Sequence, residues 1–308
     1  MAASSNASAP ALAESPLPSS TRLFLYVALS TQTLISAGTY LAAKRAMVEL
    51  DPLTLIACRF GLSASVFVLI LLVTPGLKLP PGRAVKRLLY LGFLAGPLNQ
   101  GLFFFGLSKS TPAHAALLYA LTPISVYLIS TFRGHERLSR RALAGILSAF
   151  TGVVVLLLGR GLESATGPMF GDLFILGAVV AWAFYTAEGK TFIAEHGPIR
   201  STAWSMTTAA LLIVPVAPFV FDTAALANAS RTTLWCIAYL ALLTSVLSYL
   251  LWYFALSKTR ASKVAVFSNL QPVATALAAW AVLGDPLRWE IGVGGVLVLA
   301  GVRLTQTA

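Results

Sequence analysis

Amides, phenols and indoles stand in the middle of apolar runs in this chain, where each must find a hydrogen-bond partner or line a wet cavity. Asn99 and Gln100 follow Gly96-Pro97, and the carbonyl freed by Pro97 offers one amide a local partner instead. Tyr119, Ala120 and Thr122 precede Pro123, while Ser268, Asn269 and Gln271 precede Pro272. Both sets face a cavity or repair the kink at their proline. Ala178, Trp182 and Tyr185, spaced by four and three, share one helix face. Ser245, Ser248, Tyr249 and Trp252 form a further stripe, whereas Tyr253 reads as a lipid or core contact whose loss matters little. Such groups recognise rather than break bonds: amides hydrogen-bond amino and carboxyl groups, and rings pack on side chains. Asn99, Gln100, Tyr119, Trp182, Tyr185, Tyr249, Asn269 and Gln271 are therefore expected to face one central cavity that binds substrate.

Full charges within the runs are few. Arg59 lies about 10 Å from the nearer end of its run at 1.5 Å per residue. It is expected to reach outward to Asp51 or a lipid headgroup, the alternative being a site for a substrate carboxylate. Glu188 is expected to pair with Lys190, Lys258 or Lys263, and His114 and Lys263 to lie at the membrane interfaces. The first run offers only Gln32, Ser36, Thr39 and Tyr40, with no carboxylate to titrate, which points to facilitated diffusion. Catalytic residues, cofactors and metals are not expected. There is no His-Glu-x-x-His helix, no aspartate pair and no phosphate-binding Gly-x4-Gly-Lys-Ser/Thr loop, and the three histidines lie near run ends. An enzyme and an ATP-driven pump are thereby disfavoured.

The elements that must hold these residues follow from composition. Of 308 residues, 57% are hydrophobic and 11% charged, more apolar surface than a soluble domain can hide. Apolar runs long enough for hydrocarbon fall at about 22–46, 52–74, 86–108, 111–132, 139–159, 170–193, 199–221, 231–257, 261–283 and 287–306. The expected fold is all-α, a polytopic membrane protein of ten transmembrane helices. Residues 1–21 read as a disordered tail of Ala, Ser and Pro. With the N-terminus cytoplasmic, fifteen Lys and Arg fall inside and six outside, so both termini are placed in the cytoplasm, in a bacterial inner membrane. The net charge of +11 is thus read as membrane topology, with lipid rather than nucleic acid as the partner, and the protein as a monomer. Cys58 and Cys236 both fall inside runs, which argues against a disulfide.

Residues 102–152 match 251–301 at an offset of 149, with 12 identities in 51 positions against about five by chance. The Ser108-Lys109 pair, Pro123, Gly145 and Gly152 recur as Ser257-Lys258, Pro272, Gly294 and Gly301. At an offset of 146, Lys44, Glu49 and Pro52 recur as Lys190, Glu195 and Pro198. The halves are 22–160 and 161–308; five spans in each, an odd number, makes them inverted repeats, the build of alternating-access carriers. The glycines read as packing faces of spans 5 and 10.

These residues carry a resemblance. An aromatic-small-Leu span end, Pro123, Glu136-Arg137-Leu138 and Gly145-x6-Gly152 resemble the EamA repeat of the drug/metabolite transporter superfamily. Pro272, Gly284-Asp285-Pro286-Leu287 and Gly294-x6-Gly301 repeat it, and Cys58-Arg59-Phe60 resembles the start of the family's second span. The aromatic residues are similar to those of YddG-type aromatic amino-acid exporters. An aromatic, amide-lined cavity without buried charge suits small neutral or zwitterionic metabolites, amino acids foremost, and the resemblance implies their export. Phosphorylated-sugar or nucleoside transport is the alternative within the superfamily, and a membrane receptor or scaffold the alternative outside it.

Overall fold

The computed structural model describes residues 18–73, 80–110, 112–158, 169–213, 215–274 and 289–308. The tail before residue 18, Lys78, Arg160, Arg288, the Gly284–Leu287 motif and the His114 side chain lie outside the described residues. Every regular element among those described is helical. In the first half these are α1 (Ser19–Ala46), α2 (Pro52–Val73), α3 (Gly82–Phe93), α4 (Asn99–Ser108), α5 (Pro112–Tyr119), α6 (Thr122–Phe132) and α7 (Arg140–Leu158). The second half holds α8 (Met169–His196), α9 (Pro198–Ile213), α10 (Ala217–Val220), α11 (Thr223–Ala227), α12 (Arg231–Ala238), α13 (Ser248–Lys258), α14 (Ala261–Ala265) and α15 (Trp289–Gln306). Helix thus begins at Ser19, inside the expected tail.

Four continuous helical runs are long and apolar enough to cross a bilayer: Pro52–Val73, Gly82–Ser108, Phe170–His196 and Arg231–Lys258. Leu117–Phe132 and Gly292–Gln306 are shorter and apolar. Along α2 only 28% of the apolar window is buried within the protein, and Leu72 is 78% exposed. A helix that leaves most of so apolar a surface uncovered has lipid as its solvent. This is an integral membrane protein.

The helices are interrupted where the site needs them to be. Pro97 lies in a π-helical turn, Leu94–Leu98, that joins α3 to α4; a second, Tyr239–Leu247, joins α12 to α13. Positions 94–98 correspond to 243–247 at the offset of 149, so both halves widen at the same place. Pro123 ends α5 at Tyr119, because a proline ring clashes with the carbonyl four residues earlier. Before Pro272 the chain tightens into a 3-10 turn, Val266–Asn269, for the same reason.

The repeated lysines do the same work twice. Lys44 Nζ donates to the carbonyls of Leu107 and Ser110, both at 2.9 Å; Lys190 Nζ donates to those of Leu256 and Thr259 at 2.7 and 2.6 Å. Leu107/Leu256 and Ser110/Thr259 are equivalent positions, and each lysine satisfies carbonyls left open at a helix C-terminus. The glycines of α7 and α15 meet across the halves. A methyl on Gly152 would lie 2.5 Å from the Gly294 carbonyl, and Gly145 sits against Gly301. Ser148 Oγ donates to Leu297 O at 3.2 Å, across equivalent positions. As numbering rises on α7 it falls on α15, so these two equivalent helices cross antiparallel.

Glu188 pairs with Arg133 at 2.9 Å, not with a lysine as expected. Lys190 serves the helix end described above, and Lys263 Nζ donates to Gln306 O at 2.9 Å. Asp51 accepts from Leu53 N and Thr54 N at 2.8 and 3.1 Å and so caps α2. Glu49, between α1 and α2, accepts from Ser230 N and Ser230 Oγ at 2.8 Å each and caps α12 across the halves. Those two bonds, then Thr233 and Arg45, hold its carboxyl down to about 2 from an ordinary 4.5. A depressed carboxyl stabilises the fold above its unfolded value and stops doing so as pH falls through the folded one. The wild-type melting temperature in detergent is expected to drop between about pH 4.5 and 2, and Glu49→Gln to remove part of that slope. Parallel profiles for the two proteins would show that this cap contributes nothing.

Candidate functional site

One cavity takes its walls from both halves and encloses about 560 Å³ of space not filled by atoms, including the part open to solvent. The first half supplies Gln32, Ser36, Thr39 and Tyr40 from α1, Arg59 from α2, Asn99, Gln100 and Phe103 from α4, and Tyr119 from α5. The second supplies Trp182 from α8, Thr244 from the π-helical stretch, Ser248, Tyr249 and Trp252 from α13, and Ser268 and Gln271 around the proline break. Many of these positions are equivalent: 99/248, 100/249, 103/252 and 119/268 differ by 149, and 36/182 by 146. Gln100 Nε2 and Tyr249 OH, themselves equivalent, meet at 3.5 Å. The first helix of each half packs on the last segment of the third run of the other, α1 on α13 and α8 on α4, which places the cavity between the halves.

Six of the eight residues expected at the cavity line it: Asn99, Gln100, Tyr119, Trp182, Tyr249 and Gln271. Tyr185 and Asn269 are not among its lining residues. Tyr185 is fully buried, stacks on Tyr253 at 5.1 Å and shares a 3.1 Å hydrogen bond with Ser205 of α9. The helical face drawn through positions 178, 182 and 185 is real, but the cavity ends at Trp182. Asn269 is fully buried, and neither end of its amide has a partner among the described residues. Ser268 and Gln271, three positions apart and so on one helical face, share the cavity side, and Asn269, which ends the 3-10 turn, does not. Tyr253, expected as a lipid or core contact, is a core contact: it is 0% exposed and packs between Tyr185 and Gly189.

The larger correction concerns Arg59. It does not reach outward to Asp51; it is 1% exposed and turned into the protein. Its Nε donates to Ser245 Oγ and its Nη1 to Gln100 Oε1, each at 2.6 Å, and its guanidinium lies 5.6 Å from the Phe104 ring centroid. The cavity is thus not free of buried charge, and α2 contributes to its wall. The amides form a chain behind it. Gln100 Nε2 donates to Asn99 Oδ1, and Asn99 Nδ2 to Ala178 O at 2.7 Å and Tyr119 OH at 3.2 Å. Each amide spends its acceptor on the next donor, so Asn99 and Gln100 position Arg59 instead of standing open for a ligand.

Two aromatic groups flank the space. Tyr40, Phe103 and Tyr119 lie 5.5 to 6.1 Å apart by ring centroid. Trp182 lies 5.2 Å from Tyr249 and 5.6 Å from Trp252. Sequence reading had noted α1's polar face and Trp252 without placing them in the site, and had passed over Phe103 and Thr244. Arg59 had one usable signal: no acidic residue lies one turn away in its own helix, so a partner had to come from elsewhere.

Lipid-facing helices around a buried, polar and aromatic chamber define a membrane protein built to admit a small solute. The EamA-like transporter family matches residues 23–158 and again 169–307. The chain belongs to that family, with two copies of its repeat. It is 31% identical over 287 residues to the uncharacterized transporter YyaM of Bacillus subtilis strain 168, covering 91% of this chain and 92% of the relative. It is 29% identical over 278 residues to a probable amino-acid metabolite efflux pump of Salmonella typhimurium, covering 86% and 89%. A solved structure superposes with a TM-score of 0.76 at 19% identity, over 94% of this chain and 98% of that one, a likeness of fold.

Proposed function

We infer that this transporter exports carboxylate-bearing metabolites of amino-acid size, aromatic amino acids among them, by alternating access. The observation that carries the reading is a chamber lined at equivalent positions of two repeats, with Arg59 in its wall and aromatic groups to either side. The antiparallel crossing of α7 and α15 supports two inverted halves, and the fifteen-to-six split of Lys and Arg supports both termini in the cytoplasm of a bacterial inner membrane. Equivalent halves exchanging conformations would open the chamber to one face and then to the other. The efflux pump of Salmonella typhimurium supports the direction and the amino-acid class. A phosphate dianion would call for more than one cation, and among the described lining residues Arg59 is the one cation.

The test is counterflow in proteoliposomes with labelled amino acids, nucleosides, sugars and sugar phosphates. Exchange is expected with amino acids or other carboxylates, and Trp182→Ala should weaken exchange of aromatic substrates more than that of small ones. Exchange confined to nucleosides or sugar phosphates would replace this reading.

A further inference from the structure

The charge of the chamber restricts what it holds. No Asp or Glu lies among its described lining residues, and Arg59 has no acidic partner among the described residues. An arginine keeps its proton in a protein, and a buried charge without a counter-ion is strongly unfavourable. The surrounding amides orient the guanidinium but carry no charge to balance it. Both π-helical turns, which loosen the backbone, adjoin this point in the two halves, and Ser245, within one of them, accepts from Arg59.

Resting on the carrier reading above, we propose that the chamber selects organic monoanions over the zwitterion of the same skeleton. The carboxylate seats on Arg59, and the apolar body packs on Trp182, Trp252 and Phe103. A monoanion neutralises the chamber. A zwitterion leaves it positive and brings an ammonium into a lining without a carboxylate; ring faces would attract that ammonium, but less than a counter-ion does. Amino acids are then carried more weakly than their hydroxy- or deamino-acid counterparts.

The experiment keeps the ring and varies the head group. Purified wild-type protein in liposomes is assayed by counterflow, against protein-free vesicles, with hydrocinnamate, phenyllactate, phenylalanine and phenethylamine. The two anions are expected to half-saturate at concentrations about tenfold or more below phenylalanine, with no exchange of the amine. Phenylalanine exchange at an equal or lower half-saturation overturns the proposal and leaves the carrier reading in place. Absence of exchange with all four overturns both. Gln100→Glu sets a carboxylate against Arg59, so it should weaken the anions about tenfold or more and phenylalanine less. Equal loss for anions and phenylalanine in a folded variant would assign Gln100 to packing and overturn the proposal.

Discussion

Arg59→Gln is expected to weaken carboxylate exchange by roughly 30- to 4,000-fold in half-saturation, from about 2–5 kcal/mol for truncating one side of a buried charge pair. The same variant should be more stable in detergent without substrate, because it removes a 1% exposed guanidinium with no acidic partner among the described residues. Function and stability moving in opposite directions identifies a group retained for its ligand. Arg59→Lys keeps the charge but loses the fork that reaches Ser245 and Gln100 together, so it should fall between wild type and Arg59→Gln. Counterflow and thermal melting on the same preparations check both arms. If Arg59→Gln transports normally, or melts well below wild type with transport lost in proportion, the arginine is structural.

Tyr253→Ala is expected to cost about 3–5 kcal/mol of stability, the usual price of deleting a buried aromatic ring. The ring is 0% exposed, stacks on Tyr185 and fills the space over Gly189, where even a methyl would lie 2.7 Å from its hydroxyl oxygen. Transport normalised to folded protein should change little, since Tyr253 does not line the chamber. Tyr253→Phe keeps the ring and most of the stability. The yield of monodisperse protein and its melting temperature measure the effect; a Tyr253→Ala protein as stable as wild type would mean that the region repacks freely.

Much of the architecture was legible in the residues. Composition dictated lipid as the solvent, because 11% charged residues cannot cover a water-facing surface. The offset of 149 located the repeat, and Lys44 and Lys190, matched from spacing alone, make the same contact with equivalent carbonyls. Pro97, Pro123 and Pro272 marked interruptions because, inside a helical run, a ring without an N–H disturbs the preceding turn. These are local or composition-level properties, decided within one turn or by the whole chain's balance with its solvent.

Which side of a buried helix faces a cavity is not such a property. All faces of these helices are apolar enough for lipid or core, so periodicity could group Trp182 with Tyr185 but could not find the edge of the chamber between them. Asn269 stands beside Ser268 in the same 3-10 turn, yet only Ser268 and Gln271 line the chamber. Arg59 turns inward because Ser245, 186 residues away, and Gln100, 41 residues away, meet it there, while Asp51 is spent capping its own helix. The sequence by itself determined a two-repeat membrane fold and the kinds of group its chamber would hold. Tertiary structure decided that the chamber's arginine meets no acidic partner among the described residues, since a charge is compensated or left bare only by what distant segments bring to it.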